Sequence, residues 1–586
     1  MMRLSRLLVV LLLVVSAVGC AGPSAVQPDD TSPPVSAAEA PPDEAPSEAS
    51  SSDADGTDAS NASSASETDT TTATPELEEA PNDWFHRDAT GARVPGMATD
   101  QAYRLLEGRS PQRTVTVAII DSGIDVEHED LAPHVWVNDD ETPGNDVDDD
   151  GNGYVDDVNG WNFIGGPDGE QVDADTYELT RLYVKLSERF ADADSSSLSP
   201  AAQEEYARYQ DIKQRFEEKR AEVEQQFQNV ASAHNAVQDA ASLLRSTLET
   251  DSLSEAAVSG VAPTSQQTQR AKSILMYFYQ QGVTPSDIEE YHDYLKDQVE
   301  YNYNPDFNPR PIVGDDYSDK TERIYGNNGV EGPDASHGTH VAGIVGAVRG
   351  NGLGMDGVAT QTRIMVVRAV PNGDERDKDV ANAIRYAADN GADIINMSFG
   401  KDYSPEKDVV DAAVRHADSL GVLMIHAAGN DGANIDSTGN FPTRTYLEGG
   451  EAQRWIEVGA SSWQGEENLA ASFSNYGAAS VDIFAPGVSI YSTVPDDKYE
   501  DNDGTSMAAP MVTGLAALLM AYYPDLTALQ VRSVILETGT PHAERMVVRP
   551  GSSPQNPAEV AFGTLSRTGR IINAQAAVQR AAELAQ

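Results

Sequence analysis

Three short strings in the chain carry a hydroxyl, an imidazole and a carboxylate among small residues. The hydroxyl is Ser506, which lies in Gly504-Thr505-Ser506-Met507-Ala508-Ala509-Pro510 ahead of an Ala- and Leu-rich stretch. A serine at the start of a helix lies near unpaired backbone N–H groups and the positive end of the helix dipole, which stabilise an oxyanion on an attacked carbonyl. The string therefore predicts a nucleophile, although a tight strand-to-helix turn has the same composition.

The imidazole is His337, which heads Ser336-His337-Gly338-Thr339-His340-Val341-Ala342-Gly343 at the start of another small-residue helix. Imidazole can take the proton of a serine and return it to a leaving amine because its pKa lies near neutrality. His340 lies three residues further on, so both histidines could also bind a metal from one helix face. No glutamate stands at metallopeptidase spacing, which disfavours a metallohydrolase.

The carboxylate is Asp121, which ends the apolar run 114–120 in Ile119-Ile120-Asp121-Ser122-Gly123. At the carboxyl end of a strand it can hold the tautomer of a histidine and stabilise the imidazolium. Asp125 is the competing carboxylate, and an Asp after a strand is often only a turn residue.

Together the three strings resemble the subtilisin family of serine proteases, whose triad runs in the order Asp, His, Ser. The resemblance covers about residues 83–165 and 325–580. It implies an endopeptidase that cleaves proteins or peptides through an acyl-enzyme, with Asp121 orienting, His337 as base and acid, and Ser506 as nucleophile. A catalytically silent surface scaffold that keeps the fold is the alternative.

The same resemblance assigns two binding elements. Asn430, in Ala427-Ala428-Gly429-Asn430, matches the side chain that donates to the oxyanion, together with the N–H of Ser506. Ser398, Phe399 and Gly400 match the extended edge that pairs with the backbone of the substrate.

Apolar runs recur along the rest of the matching segments, at 364–367, 394–397 and 422–426, with a helix-like stretch at 380–389. Strands that alternate with helices are typical of an α/β fold with a parallel sheet. We therefore expect a subtilisin-like three-layer structure with helices on both faces of the sheet.

A helical insert separates Asp121 from His337 by 216 residues. Ser199-Pro200 is a helix start, and apolar residues follow it at three- and four-residue steps, typical of a coiled-coil-like seam. A second helical pair is indicated by 265–281 and by Thr284-Pro285. The sequence thus predicts a helical hairpin or bundle at 166–324, inserted in a catalytic domain formed by 81–165 and 325–586.

An acidic loop at 146–157 fits the pattern of a calcium-binding loop. Oxygen-bearing side chains occupy alternate positions around the turn glycine Gly151, and hard oxygen ligands of this kind suit Ca²⁺. Position 12 is an aspartate and not the longer glutamate. The candidate ligands of a structural calcium ion are Asp146, Asp148, Asp150, Asn152 and Asp157; a solvated acidic loop is the alternative.

The N-terminus has the features of an export signal at 1–20: Arg3 and Arg6 precede a short apolar run, which ends in Ala17-Val18-Gly19-Cys20. This ending resembles a bacterial lipobox and predicts lipidation of Cys20, the only cysteine; simple secretion with an unmodified cysteine is the alternative. Residues 21–80 are rich in Ala, Ser, Thr, Pro and acids, so we expect a disordered tether. The protein is expected in the cell envelope or at the cell surface, anchored to a membrane by lipid.

The amino-acid composition argues against nucleic acid as a partner. There are 94 acidic and 40 basic residues, a net charge of −54, which disfavours binding to nucleic acid. Only 10 of the basic residues are lysines. An acidic, lysine-poor surface resembles that of proteins from salt-accumulating organisms, and an ordinary acidic secreted enzyme is the alternative.

Overall fold

The computed structural model describes residues 77, 79–88, 94–250 and 252–586. The expected signal peptide, Cys20 and all but three residues of the expected tether lie outside these ranges. The elements below belong to one compact unit, Ala80–Gln586.

A nine-stranded, mostly parallel sheet organises this unit. Its strand order is β10-β13-β7-β6-β5-β4-β1-β3-β2, and only β10 runs antiparallel to its neighbour. Two small hairpins, β8–β9 and β11–β12, lie outside it. The strands are β1 (Val115–Asp121), β2 (Gly160–Asn162), β3 (Thr362–Arg368), β4 (Ile394–Met397), β5 (Leu423–Ala427), β6 (Trp455–Ser461), β7 (Ile483–Pro486), β8 (Ile490–Val494), β9 (Lys498–Asn502), β10 (Thr540–Pro541), β11 (Met546–Val548), β12 (Glu559–Ala561) and β13 (Arg570–Ile571).

The central strands are apolar along their whole length because both faces of the sheet are covered. In β1, Val117 and Ile119 point into one apolar layer, and Ala118 and Ile120 point into the other. This two-residue alternation is the ordinary geometry of a strand. The three-layer α/β architecture expected from the recurring apolar runs is therefore present.

Helices cover both faces. The helices are α1 (Thr99–Leu106), α2 (Glu178–Phe190), α3 (Pro200–Leu248), α4 (Glu255–Gly260), α5 (Gln266–Gln280), α6 (Pro285–Asp297), α7 (Arg310–Val313), α8 (Ser336–Gly346), α9 (Asp377–Asp389), α10 (Lys407–Leu420), α11 (Thr505–Tyr522), α12 (Ala528–Thr538) and α13 (Ala574–Leu584). Helices α8 and α11 pack in one layer, and α9 and α10 pack in the other. Among the described helices, α11 alone is long and apolar enough to cross a membrane, but 89% of it is buried in the core.

The segment between β2 and α8 is largely helical. Its longest helix, α3, begins where the Ser-Pro pair predicts: the Ser199 hydroxyl accepts a hydrogen bond from the N–H of Ala202. The seam of α3 packs against α2, α5 and α6 of the same chain. Helix α6 begins with a capping box formed by Thr284 and Asp287.

The two ends of this helical segment meet at the edge of the sheet. Asn162, the last residue of β2, exchanges backbone hydrogen bonds of 2.9 and 3.0 Å with Asn327. Gly326 is required here, because a Cβ at this position would lie 2.0 Å from the carbonyl oxygen of Asn162. The segment between Asn162 and Asn327 therefore begins and ends at the same edge of the sheet, and β1 still pairs with β3.

Candidate active site

Asp121 and His337 lie together although the sequence separates them widely. Oδ1 of Asp121 accepts a hydrogen bond of 2.6 Å from Nδ1 of His337 and a second one from the N–H of Ser122. Asp121 is 2% exposed, whereas the His337 side chain is 42% exposed. A buried carboxylate thus holds an accessible imidazole with Nε2 free for a reacting group.

Two glycines allow this approach. A Cβ on Gly338 would lie 2.1 Å from the carbonyl oxygen of Gly123, and a Cβ on Gly123 would lie 1.9 Å from that of Glu331. Gly123 also has a φ of +130°, which side chains rarely allow. The glycines that accompany both motifs therefore let α8 pack closely against the end of β1.

The charge of Asp121 governs the pKa of His337. Partial burial lowers this pKa, but the Asp121 carboxylate and its hydrogen bond outweigh burial and hold the pKa above its ordinary value. The imidazolium is thereby stabilised, which is the property that a general base needs after it has accepted a proton.

His340 has a different environment. It is fully buried, and its Nε2 lies 3.0 and 3.1 Å from the carbonyl oxygens of Ile490 and Glu500 in the β8–β9 hairpin. Burial lowers its pKa to about 4, so the ring is neutral. Because these carbonyls engage its Nε2, the geometry does not favour a shared metal site with His337.

Asp125, the competing carboxylate, has a structural role. Its two oxygens accept hydrogen bonds from the backbone N–H groups of Glu127 and Asp496. It therefore closes a turn and does not contact His337.

Ser506 lies in the first turn of α11, which packs against α8. Its hydroxyl donates to the carbonyl of Ser398 at 3.0 Å, while the Ser398 hydroxyl donates to the carbonyl of Ser506 at 2.9 Å. This exchange fixes the end of β4 against the start of α11. Since Ser506 is in the first turn, its N–H has no acceptor within the helix.

Asn430 is held in a single orientation by Thr505. Its Oδ1 accepts from the backbone N–H of Thr505 at 2.9 Å and from the Thr505 hydroxyl at 3.0 Å. The same hydroxyl accepts from the N–H of Gly429. Because Oδ1 is fully engaged, the Nδ2 amide remains available as a donor. The role of Thr505 in this orientation was not anticipated from the motif.

The segment Ser398-Phe399-Gly400 follows β4 and lies beside Ser506. The Phe399 ring packs partly into the apolar layer that contains α9 and α10. Lys401, the next residue, pairs in antiparallel fashion with Phe441 through hydrogen bonds of 3.1 and 2.9 Å. The segment is thus an anchored, extended strand end.

A cleft of about 1250 Å³ joins these residues to the helical segment. Ser506, Asn430 and the three residues Ser398 to Gly400 line one part of it. Residues of α3 and α6 line another part, including Glu222 and Tyr294. The insert therefore forms a wall of the cleft that holds the serine, which the sequence did not reveal.

The acidic loop gathers only part of the expected ligand set. Oxygens of Asp150 and Asp157 lie within 4.8 Å of each other and of an oxygen of Glu141, the only such cluster of three acidic, His or Cys side chains among the described residues. Asn152 donates from Nδ2 to both aspartates. Glu141 precedes the loop by five residues, outside the motif, so spacing gave no signal for it.

The other two expected ligands are not in this cluster. The oxygens of Asp148 accept from the backbone N–H groups of Gly151, Asn152 and Gly153, which stabilises the turn. Asp146 has a φ of +57°, and its N–H donates to Asp156. Two of the five expected ligands, Asp150 and Asp157, therefore cluster with Glu141, which lies outside the motif.

Comparison with known proteins matches residues 112–552 to the subtilase family. The thermophilic serine proteinase of Bacillus sp. strain AK1 is 39% identical over 241 residues, which cover 41% of this chain and 54% of that protein. Subtilisin of Bacillus pumilus is 39% identical over 210 residues, covering 35% of this chain and 70% of that one. A solved protease structure from Pseudoalteromonas arctica is 30% identical with a TM-score of 0.34, covering 44% of this chain and 74% of that chain. The chain thus spans only about half the length of some relatives.

Proposed function

Because the chain belongs to the subtilase family, we propose that it is a serine endopeptidase that hydrolyses peptide bonds in proteins. The observation that carries the proposal is the 2.6 Å hydrogen bond between His337 and the buried Asp121, in a fold where α8 and α11 pack together. The relatives named as proteinase and subtilisin support the same activity.

The proposed reaction proceeds in two halves. Ser506 Oγ attacks the carbonyl carbon of the scissile bond while its proton passes to Nε2 of His337. The oxyanion accepts hydrogen bonds from Nδ2 of Asn430 and the N–H of Ser506, and the charge of Asp121 stabilises the imidazolium. His337 then protonates the leaving amine, and water hydrolyses the acyl ester by the same steps.

Labelling with a fluorophosphonate tests this proposal. We expect the parent protein to be labelled once and the Ser506→Ala variant to remain unlabelled, since the reagent requires an activated serine. Ser437→Ala is a control, because Ser437 is exposed and does not line the cleft. Absence of labelling in a folded parent would instead favour the silent scaffold.

We propose that the acidic loop binds a structural Ca²⁺ through Glu141, Asp150 and Asp157, which supply hard carboxylate oxygens. Burial raises the pKa of Asp157, as expected where a carboxylate lacks a full set of cationic partners. We expect calcium to raise the melting temperature of the parent and to have a much smaller effect on Glu141→Gln, with Asp139→Asn, an exposed carboxylate outside the cluster, behaving like the parent. No heat of binding in calorimetry, with a melting temperature unaffected by chelator, would refute this site.

We further propose that the protein is exported and anchored by lipid at Cys20, from the charged and apolar pattern of residues 1–20. Metabolic labelling with an alkyne fatty acid should mark the parent in a bacterial host and leave Cys20→Ser unmarked. Equal labelling of both proteins would argue against this anchor.

A further inference from the structure

The cleft that holds Ser506 is lined by more carboxylates than cations. Six carboxylates line the cleft, against three cationic side chains, Arg215, Lys219 and Lys401. The carboxylates are Glu218, Glu222, Asp374, Glu375, Asp402 and Asp431. They come from the insert and from the segments that follow β3, β4 and β5, so the charge converges from several elements on one space.

The three cations are already engaged. Lys401 uses its three donors on Glu178, Asp377 and the carbonyl of Glu375, at 3.0, 2.9 and 2.7 Å. Lys219 pairs with Glu222 at 3.0 Å. Arg215 pairs with Asp211, which does not line the cleft, at 3.0 Å. No hydrogen bond joins any of the three cations to the carboxylate of Glu375, although the charge of Lys401 partly offsets the burial of Asp374 and Glu375.

Glu375 is a buried carboxylate of the cleft with one oxygen that accepts no hydrogen bond. It is 2% exposed, it lines the cleft, and its Oε1 has no hydrogen-bond donor. Burial raises the pKa of Glu375 and of its neighbour Asp374. A buried carboxylate without a donor is costly, and a cation delivered to it regains that energy.

Tyrosines surround these carboxylates. The rings of Tyr177 and Tyr303 pack edge to face at 5.0 Å, and those of Tyr291 and Tyr294 are stacked at 6.2 Å. All four line the cleft. Aromatic faces attract cations, and a long aliphatic stem packs well between rings. Carboxylates combined with aromatic rings fit a lysine or arginine side chain better than an apolar or acidic one.

We propose that the part of the cleft lined by Asp374, Glu375 and the four tyrosines, here called the acidic subsite, binds an arginine or lysine side chain of the polypeptide being cleaved. The inference rests on the proposed protease function. The segments after β3 and β4 flank Asp121 on either side, because both strands pair with β1. A substrate backbone that lies along Ser398–Gly400 therefore shares one cleft with Ser506 and with the acidic subsite.

Matched peptides test the acidic subsite on the full chain. Each pair carries arginine or its neutral isostere citrulline at one position within four residues of the scissile bond. We expect kcat/KM to favour arginine by about tenfold or more at one position, as charge-assisted hydrogen bonds allow. Glu375→Gln should remove most of this preference, and Glu217→Gln, whose side chain is 58% exposed and outside the cleft, should keep it.

A second variant tests the acidic subsite independently, in case Glu375→Gln does not fold. Tyr294 is 51% exposed, so Tyr294→Ala should fold normally and reduce the arginine preference by about threefold. Equal cleavage of arginine and citrulline peptides at every position would overturn the acidic subsite and leave the protease function standing. No cleavage of any peptide, together with no fluorophosphonate labelling, would overturn both.

Discussion

His337 carries the pH dependence of the proposed reaction. It must be neutral to accept the serine proton, and the Asp121 carboxylate raises its pKa above 6.5. Activity is therefore lost as pH falls through this raised value. The same shift contributes stability that is present below the ordinary pKa of histidine and is lost as pH rises through the raised one.

We expect the kcat/KM of the parent to rise with pH, with a midpoint above 6.5. In Asp121→Asn the charge of Asp121 is gone and burial remains, so the midpoint should shift to lower pH than in the parent. Turnover should also drop by about four orders of magnitude, the effect known for this substitution in serine protease triads. Rate profiles between about pH 5 and 9 measure both quantities. An unchanged midpoint in the variant would contradict this account.

At the residue scale, the sequence predicted those positions whose chemistry depends on a local string. Asp121, His337, Ser506 and Asn430 each stand beside glycines or small residues that their geometry requires. No local string marks Glu375 or Glu141, the carboxylates of the two proposed binding sites, because burial and neighbours distant in the chain set their environments. Asp148 was expected to be a calcium ligand, but its oxygens accept hydrogen bonds from three backbone N–H groups of its own turn.

At the scale of elements, buried ion pairs hold the insert to the catalytic part. Glu178 of α2 binds both Arg181 and Lys401, and Asp175 binds Arg376 at 2.6 Å. At the other end of the insert, Arg310 binds Asp379 at the start of α9. The hydrophobic periodicity predicted the helices, but it gave no indication of this charged junction.

Breaking this junction should destabilise the fold. Lys401 is 2% exposed, and Lys401→Met would leave Asp377 buried without its cation and Glu178 paired with Arg181 alone. We expect the free energy of unfolding to fall by about 3–5 kcal/mol, the usual cost of an unpaired buried charge. Urea denaturation measures this difference. Lys213→Met removes an exposed pair with Glu217 and should change it by less than about 1 kcal/mol. Similar losses in the two variants would refute a stabilising junction.

At the scale of the whole molecule, the main electrostatic feature is the large negative net charge. A charge of −54 over 586 residues repels itself most strongly in dilute solution. Salt shortens the range of this repulsion from about 10 Å at 0.1 M to about 3 Å at 1 M. Acidic composition alone did not distinguish adaptation to salt from an ordinary acidic enzyme.

We expect the melting temperature to rise between about 0.1 and 1 M potassium chloride, because screening relieves repulsion within the folded chain. Calorimetry with calcium held constant separates this effect from binding at the acidic loop. Sodium chloride is the control and should act equally, since screening does not depend on the identity of the cation. A maximum of stability at low salt would favour the ordinary acidic enzyme.

The position of the insert also affects how the protein is made. Strand β1 pairs with β3 and β4, and both of these strands follow the insert in the sequence. The ribosome therefore synthesises 241 residues, from Asp121 to Thr362, before it reaches the first partner strand of β1. At about 5–20 residues per second, this interval lasts roughly 12–50 s. During this time β1 has left the ribosome as an apolar strand with both edges unpaired, the kind of segment that chaperones bind. The helices of the insert contact mainly one another, so they can fold first, and the sheet around β1 is completed only after its later strands arrive.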